Sequence, residues 1–156
     1  MGGALGGRIS QTHRAPRTVN PTEAVPSLSG GAPTELLICI TCRPQGAPRD
    51  GLAAGQTLLQ QTQALCPAGD TAAVRVRSVA CMNGCERACT AALQATGKTT
   101  YFFGGLEAHA ETAAQLLDCA RLHAQRADGL MARNDRPQRL RGTLLAKLPA
   151  YPSEQD

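Results

Sequence analysis

The sequence predicts an α+β fold, a mixed sheet of about four strands with two main helices. Three observations predict it. Short β-branched or alternating apolar runs occur at Leu36–Ile40 and Val74–Val79, and apolar positions at helical spacing fill 54–66 and 108–126. Between the second strand and the second helix, a cysteine-rich turn precedes a hairpin pattern.

Each element follows from its residues. Residues 1–33 are rich in Gly, Pro, Ser and Thr without apolar period, and are expected to be a disordered leader. Leu36-Leu37-Ile38-Cys39-Ile40 is a buried strand running into the turn-rich Arg43-Pro44-Gln45-Gly46. Leu58, Leu59 and Leu65 predict an amphipathic helix over 54–66, stopped at Pro67-Ala68-Gly69-Asp70. Val74-Arg75-Val76-Arg77-Ser78-Val79 alternates strictly, with valines inward, and leads to Cys81. Thr90–Ala95 and Thr99–Phe103 form a hairpin turning at Gly97. Ala113, Leu116, Leu117, Ala120 and Leu122 predict the second long helix, closed at Asp128-Gly129. The domain spans 34–128, and 129–156 forms a C-terminal extension with a short helix from Leu140 through Leu148. This order suits a thioredoxin-like sheet with helices packed against it.

Composition removes several classes of function. Aromatic residues are 3% of the 156-residue chain and Trp is absent, so the core rests on aliphatic side chains. Residues 1–33 carry three arginines against one glutamate, half of the chain's net +4. The basic residues neither cluster nor interleave with aromatics, which argues against nucleic acid as a partner. No stretch approaches 18 apolar residues, so no membrane association is expected. The N-terminus lacks the apolar region of a secretory signal. Its arginines fit a mitochondrial transit peptide, but Pro16, Pro21 and the glycines oppose an amphipathic helix there, and cytoplasm is expected.

Seven cysteines then change meaning. A reducing compartment disfavours disulfides, and clustered cysteines point to metal binding or redox chemistry. Cys39 and Cys42 are spaced C-x2-C, Cys81 and Cys85 are spaced C-x3-C, and Cys89 adds one further x3 step. Both sets fall at the C-terminal ends of expected strands, which converge if those strands are neighbours. An iron–sulfur cluster needs four thiolates on a compact core. Gly84 permits close backbone approach, and its amide and that of Asn83 could donate to cluster sulfides. Arg43 and Arg87 flank the two sets, either balancing an anionic centre or simply solvated.

Other readings stay open. Structural zinc takes four thiolates too, although C-x3-C weakens a zinc-ribbon assignment. A dithiol oxidoreductase wants C-x-x-C opening a helix, whereas Cys42 is followed by Arg43-Pro44-Gln45-Gly46-Ala47-Pro48. Unrelated core cysteines describe Cys66 and Cys119, each placed near a helix end, better than the clustered five.

Leu37-Ile38-Cys39-Ile40, Arg43-Pro44-Gln45-Gly46 and Cys81-Met82-Asn83-Gly84-Cys85 resemble the thioredoxin-like [2Fe–2S] ferredoxins. Gly97-Lys98-Thr99-Thr100-Tyr101-Phe102-Phe103-Gly104 resembles the hairpin that follows the cluster loop in that group. More narrowly, Glu35 to about Pro149 is similar to an uncharacterised bacterial family of predicted metal-binding proteins. The resemblance implies a thioredoxin-like fold and one-electron transfer through a [2Fe–2S] cluster. It places Cys39 as first ligand and Cys81 and Cys85 as the last two. The ferredoxins carry their second ligand deeper in the following loop, and 43–65 contains no Cys, so Cys42 or Cys89 must substitute. Cys42 is preferred because it shares the first strand end. The narrower family is often encoded near cobalamin-biosynthesis genes.

The expectation is therefore a small electron carrier rather than an enzyme, ligated by Cys39, Cys42, Cys81 and Cys85 with Cys89 in reserve. The alternative is a metal-binding or metal-delivery protein holding zinc or cobalt on the same thiolates. An unidentified redox partner is implied, and a homodimer is left open. His13 lies in the leader, and His109 and His123 are expected as exposed positions on the last helix.

Overall fold

The computed structural model describes residues 2–3, 32–66 and 73–150; the expected leader and the stop at Pro67–Asp70 lie outside the described residues or largely so. The first strand, β1 (Thr34–Cys39), forms because Leu36 and Ile38 alternate into the core and are fully buried. Helix α1 (Ala54–Ala64) crosses back to β2 (Val74–Val79), which pairs parallel to β1. In β2 the valines 74 and 76 are buried and the arginines 75 and 77 are exposed, as alternation requires.

A single 3-10 turn at Cys85–Arg87 separates β2 from the hairpin β3 (Ala91–Gln94) and β4 (Thr100–Phe103). Strand β3 runs antiparallel to both β1 and β4. Helix α2 (Ala110–Gln125) follows. The sheet order β2-β1-β3-β4-β5 places a parallel βαβ unit beside a ββα unit, so the α+β class and the thioredoxin-like connectivity expected from the sequence both hold.

The helices pack on each other and on β1. Leu58 and Leu59 of α1 meet Ala113, Leu116, Leu117 and Ala120 of α2 in one core with Leu36, Ile38 and Leu93. Each fully buried leucine of this set contributes roughly 1.5–3 kcal/mol, which compensates for the shortage of aromatic residues.

Two expectations need correction. The short helix across Leu140–Leu148 is instead a fifth strand, β5 (Leu144–Leu148), antiparallel to β4. Leu144 and Ala146 are half-buried while Leu145, Lys147 and Leu148 are exposed, a period of two. Pairing there satisfies a β4 edge that would otherwise show unpaired N–H and C=O groups. His123, expected to be exposed, is fully buried, with Nε2 donating to the Thr99 carbonyl at 2.8 Å and Nδ1 accepting from the Thr34 hydroxyl at 2.8 Å.

The segment Lys98–Phe103 acquires a structural account. The Lys98 ammonium donates to the carbonyls of His123 and Ala124, at 3.2 and 2.7 Å, closing the C-terminal turn of α2. Tyr101 and Phe103 are buried, and the Tyr101 hydroxyl accepts from the amide of Met131 at 2.8 Å.

Candidate metal centre

Parallel pairing of β1 and β2 aligns their C-terminal ends, with Cys39 opposite Val79. The chain leaving β1 turns at Ile40, whose amide still donates to Val79, so Cys42 arrives close to Cys39. The chain leaving β2 reaches Cys81 two residues beyond the register. Thr41 ties the two departures together, its hydroxyl donating to the Ala80 carbonyl.

Close packing fixes Cys39 and Cys42 from the helix side. The Gly55 amide donates to the Cys42 carbonyl at 3.0 Å. A β-carbon at position 55 would collide with the Cys39 carbonyl oxygen and lie 3.1 Å from the Cys42 Cβ, so only glycine lets α1 begin there. Across the site, Cys89 exchanges both backbone hydrogen bonds with Leu106, at 3.0 Å each.

All seven cysteines are free thiols. Cys39, Cys42 and Cys89 are buried and mutually close enough to perturb one another's ionisation. Burial alone would push the Cys39 thiol up. Donation to its sulfur from the Cys42 thiol, the Met82 amide and Thr41 outweighs burial and leaves Cys39 below the ordinary thiol range. Burial holds Cys42 above that range, against the opposing hydroxyl and amide of Thr90. Cys89 is pushed up to about 12, first by burial and then by the neighbouring Cys42 and Cys39.

Cys81 and Cys85 lie differently. Both are exposed, on the turn that passes over Cys39 at Met82. The Asn83 amide donates to the Cys81 sulfur at 3.3 Å, with Asn83 itself at φ 55° in the left-handed region. Gly84 lies against Thr90 and Phe102, where a β-carbon would stand 2.6 Å from the Thr90 methyl.

The structure thus brings together Cys39, Cys42 and Cys89 and hangs Cys81 and Cys85 beside them on an exposed turn. Among the described residues, no three His, Cys, Asp or Glu side chains stand in metal-holding geometry. The donors nonetheless fit a soft metal in kind, because thiolates select zinc, copper(I) and iron–sulfur clusters. A bound cation would also oppose the burial, and the lesser repulsion from Cys42 and Cys39, that raise Cys89.

The remaining candidates separate cleanly. Cys66 is buried just beyond α1, and Cys119 is buried in the middle of α2 with its thiol 3.8 Å from the Met131 sulfur. Arg43 is not simply solvated: its guanidinium donates to the carbonyls of Pro48, Gly51 and Leu52 and staples the loop after Cys42. His109 caps α2, its ring accepting from the Glu111 amide. Sequence reasoning passed over Gly55 and the part Thr90 plays beside the cysteines. The signal for Thr90 was its place directly after Cys89.

Among the described residues, no helix is long and apolar enough to cross a membrane. Residues 36–150 match the family described as "Protein of unknown function (DUF1636)". No curated protein matches the chain. Among solved structures, a thioredoxin-like [2Fe–2S] ferredoxin from Aquifex aeolicus is similar at 12% identity and TM-score 0.45, covering 80% of this chain and 99% of that one.

Proposed function

We propose that this chain, which belongs to the DUF1636 family, is a one-electron carrier built on a cysteine-ligated [2Fe–2S] cluster. The observation that carries the reading is the meeting of three buried, free thiols, Cys39, Cys42 and Cys89, at the paired strand ends beneath a turn bearing two more. Those three would hold the inner side of the centre, and the Cys81–Cys85 turn would supply the fourth sulfur. When bound, the cluster would supply a one-electron couple. The turn keeps one side of the site near solvent, where a redox partner protein can approach. Neither histidine of α2 is suited to proton transfer, since His109 caps the helix and both ring nitrogens of His123 are engaged.

The exposure of Cys81 and Cys85 favours a second reading, delivery of zinc or cobalt through the same thiolates. Anaerobic purification decides between them. The electron-carrier reading expects a coloured protein with two irons and two sulfides per chain and an EPR signal after dithionite reduction. A colourless protein without iron or sulfide would overturn it, and stoichiometric zinc in that protein would support delivery.

A further inference from the structure

We infer that Thr90 is a positioning residue for this centre, its hydroxyl donating to the Cys42 sulfur while its methyl seats the Cys81–Cys85 turn. The inference rests on the thiolate-centre reading above. Thr90 is fully buried, and nearly every group it has faces the cysteines. Its carbonyl accepts from the Cys39 amide at 3.1 Å. Its hydroxyl lies 3.4 Å from the Cys42 sulfur. Its methyl presses on Gly84, in the turn between Cys81 and Cys85. Its amide follows Cys89 directly in the chain. One residue therefore touches both strand-end cysteines and the exposed turn.

The direction of the hydroxyl bond follows from the chemistry. A metal-bound thiolate has no proton to give, so the Thr90 hydroxyl must be the donor. Donors to a ligating sulfur orient it and draw electron density from it, and removing such partners typically costs 10–100-fold in metal affinity. A buried threonine that merely satisfies its own hydroxyl would show no such effect. Backbone contacts survive substitution at this position, so the hydroxyl and the methyl can be tested apart.

The test loads the full-length chain and its Thr90→Val and Thr90→Ser variants with cobalt(II), and separately with iron and sulfide, under anaerobic conditions. Thermal unfolding of each apo-protein is followed alongside. Thr90→Val keeps the shape and loses the donor. Its cobalt affinity should fall about 10–100-fold, and its sulfur-to-metal charge-transfer band should move to longer wavelength. Thr90→Ser keeps the donor, so its band should stay at the wild-type position. If Thr90→Val fails to fold, Thr90→Ala, which also lacks the donor, is read against Thr90→Ser, and equal cobalt affinity and band position in those two overturn the hydroxyl's role. Wild type and Thr90→Val alike in affinity and band position would remove Thr90's role and leave the centre standing. Wild type that takes up neither cobalt nor iron and sulfide would remove the centre, and this role with it.

Discussion

The carbonyl oxygen of Cys39 occupies the place where a side chain on residue 55 would begin. Backbone against backbone leaves nothing flexible to yield, so α1 would have to move off β1. Gly55→Ala should therefore destabilise the apo-protein by about 1–3 kcal/mol, as overpacking of a tight core does. It should also displace Cys42, whose carbonyl the Gly55 amide holds. Thermal melts and metal content measure the two effects, and wild-type values in both would contradict the packing described.

The cysteines should divide by position. Cys39→Ala, Cys42→Ala and Cys89→Ala should each reduce bound iron or zinc to background. Of Cys81→Ala and Cys85→Ala, one should abolish loading and the other spare it. Cys66→Ala and Cys119→Ala should retain full content, because these two pack in the core away from the strand ends. Metal analysis of the seven single variants is sufficient, and full loading of Cys89→Ala would remove Cys89 from the ligand set and require both Cys81 and Cys85 in its place.

Burial, aided by the nearby Lys98 charge, holds the His123 imidazole below its ordinary pKa of 6.5, although the Thr99 carbonyl opposes the shift. Above 6.5 both folded and unfolded chains carry it neutral, and it adds no pH dependence. Below 6.5 the unfolded chain takes up the proton first, so stability falls as pH falls, by at most about 1.4 kcal/mol per unit. Urea titrations at pH 7.5 and 5.5 should show this loss, and His123→Gln should flatten the difference.

Lys98 is almost buried, and its ammonium closes two carbonyls at the end of α2. Burial lowers its pKa, with the Asp128 carboxylate opposing. Lys98→Met keeps the apolar stem and strands those carbonyls, at a cost of about 1–3 kcal/mol. The midpoint of urea unfolding should fall accordingly, while metal content should stay unchanged because Lys98 lies in the turn joining β3 to β4, at the opposite end of β3 from Cys89.

The strands β1 and β2 could be read directly, β1 from the continuous apolar run Leu36–Ile40 and β2 from the alternation of Val74 and Val76 with arginines. That the turn after β2 passes over Cys39 followed from placing both cysteine sets at the ends of neighbouring strands. The C-terminal strand could not be read the same way. Leu144–Leu148 is only five residues of Leu, Ala and Lys, all good helix formers, and what makes it a strand is the waiting edge of β4. The burial of His123 did carry a signal: it continues the stripe of Leu116 and Ala120 at helical spacing. The inward lie of Cys89 depends on its two bonds to Leu106, seventeen positions later, which no local pattern announces.

The contact between Cys42 and Thr90 spans 48 positions of chain, and only the completed pairing of β1 with its two neighbours closes that interval. An extended chain cannot present the inner thiols together, so a metal held by them acts as a cross-link across the folded topology. Such a ligand would favour the native state and raise its stability by mass action, by up to about 2.7 kcal/mol when free metal stands a hundredfold above its dissociation constant. In a small protein with few aromatic anchors, occupancy of the proposed centre and persistence of the fold would become one equilibrium.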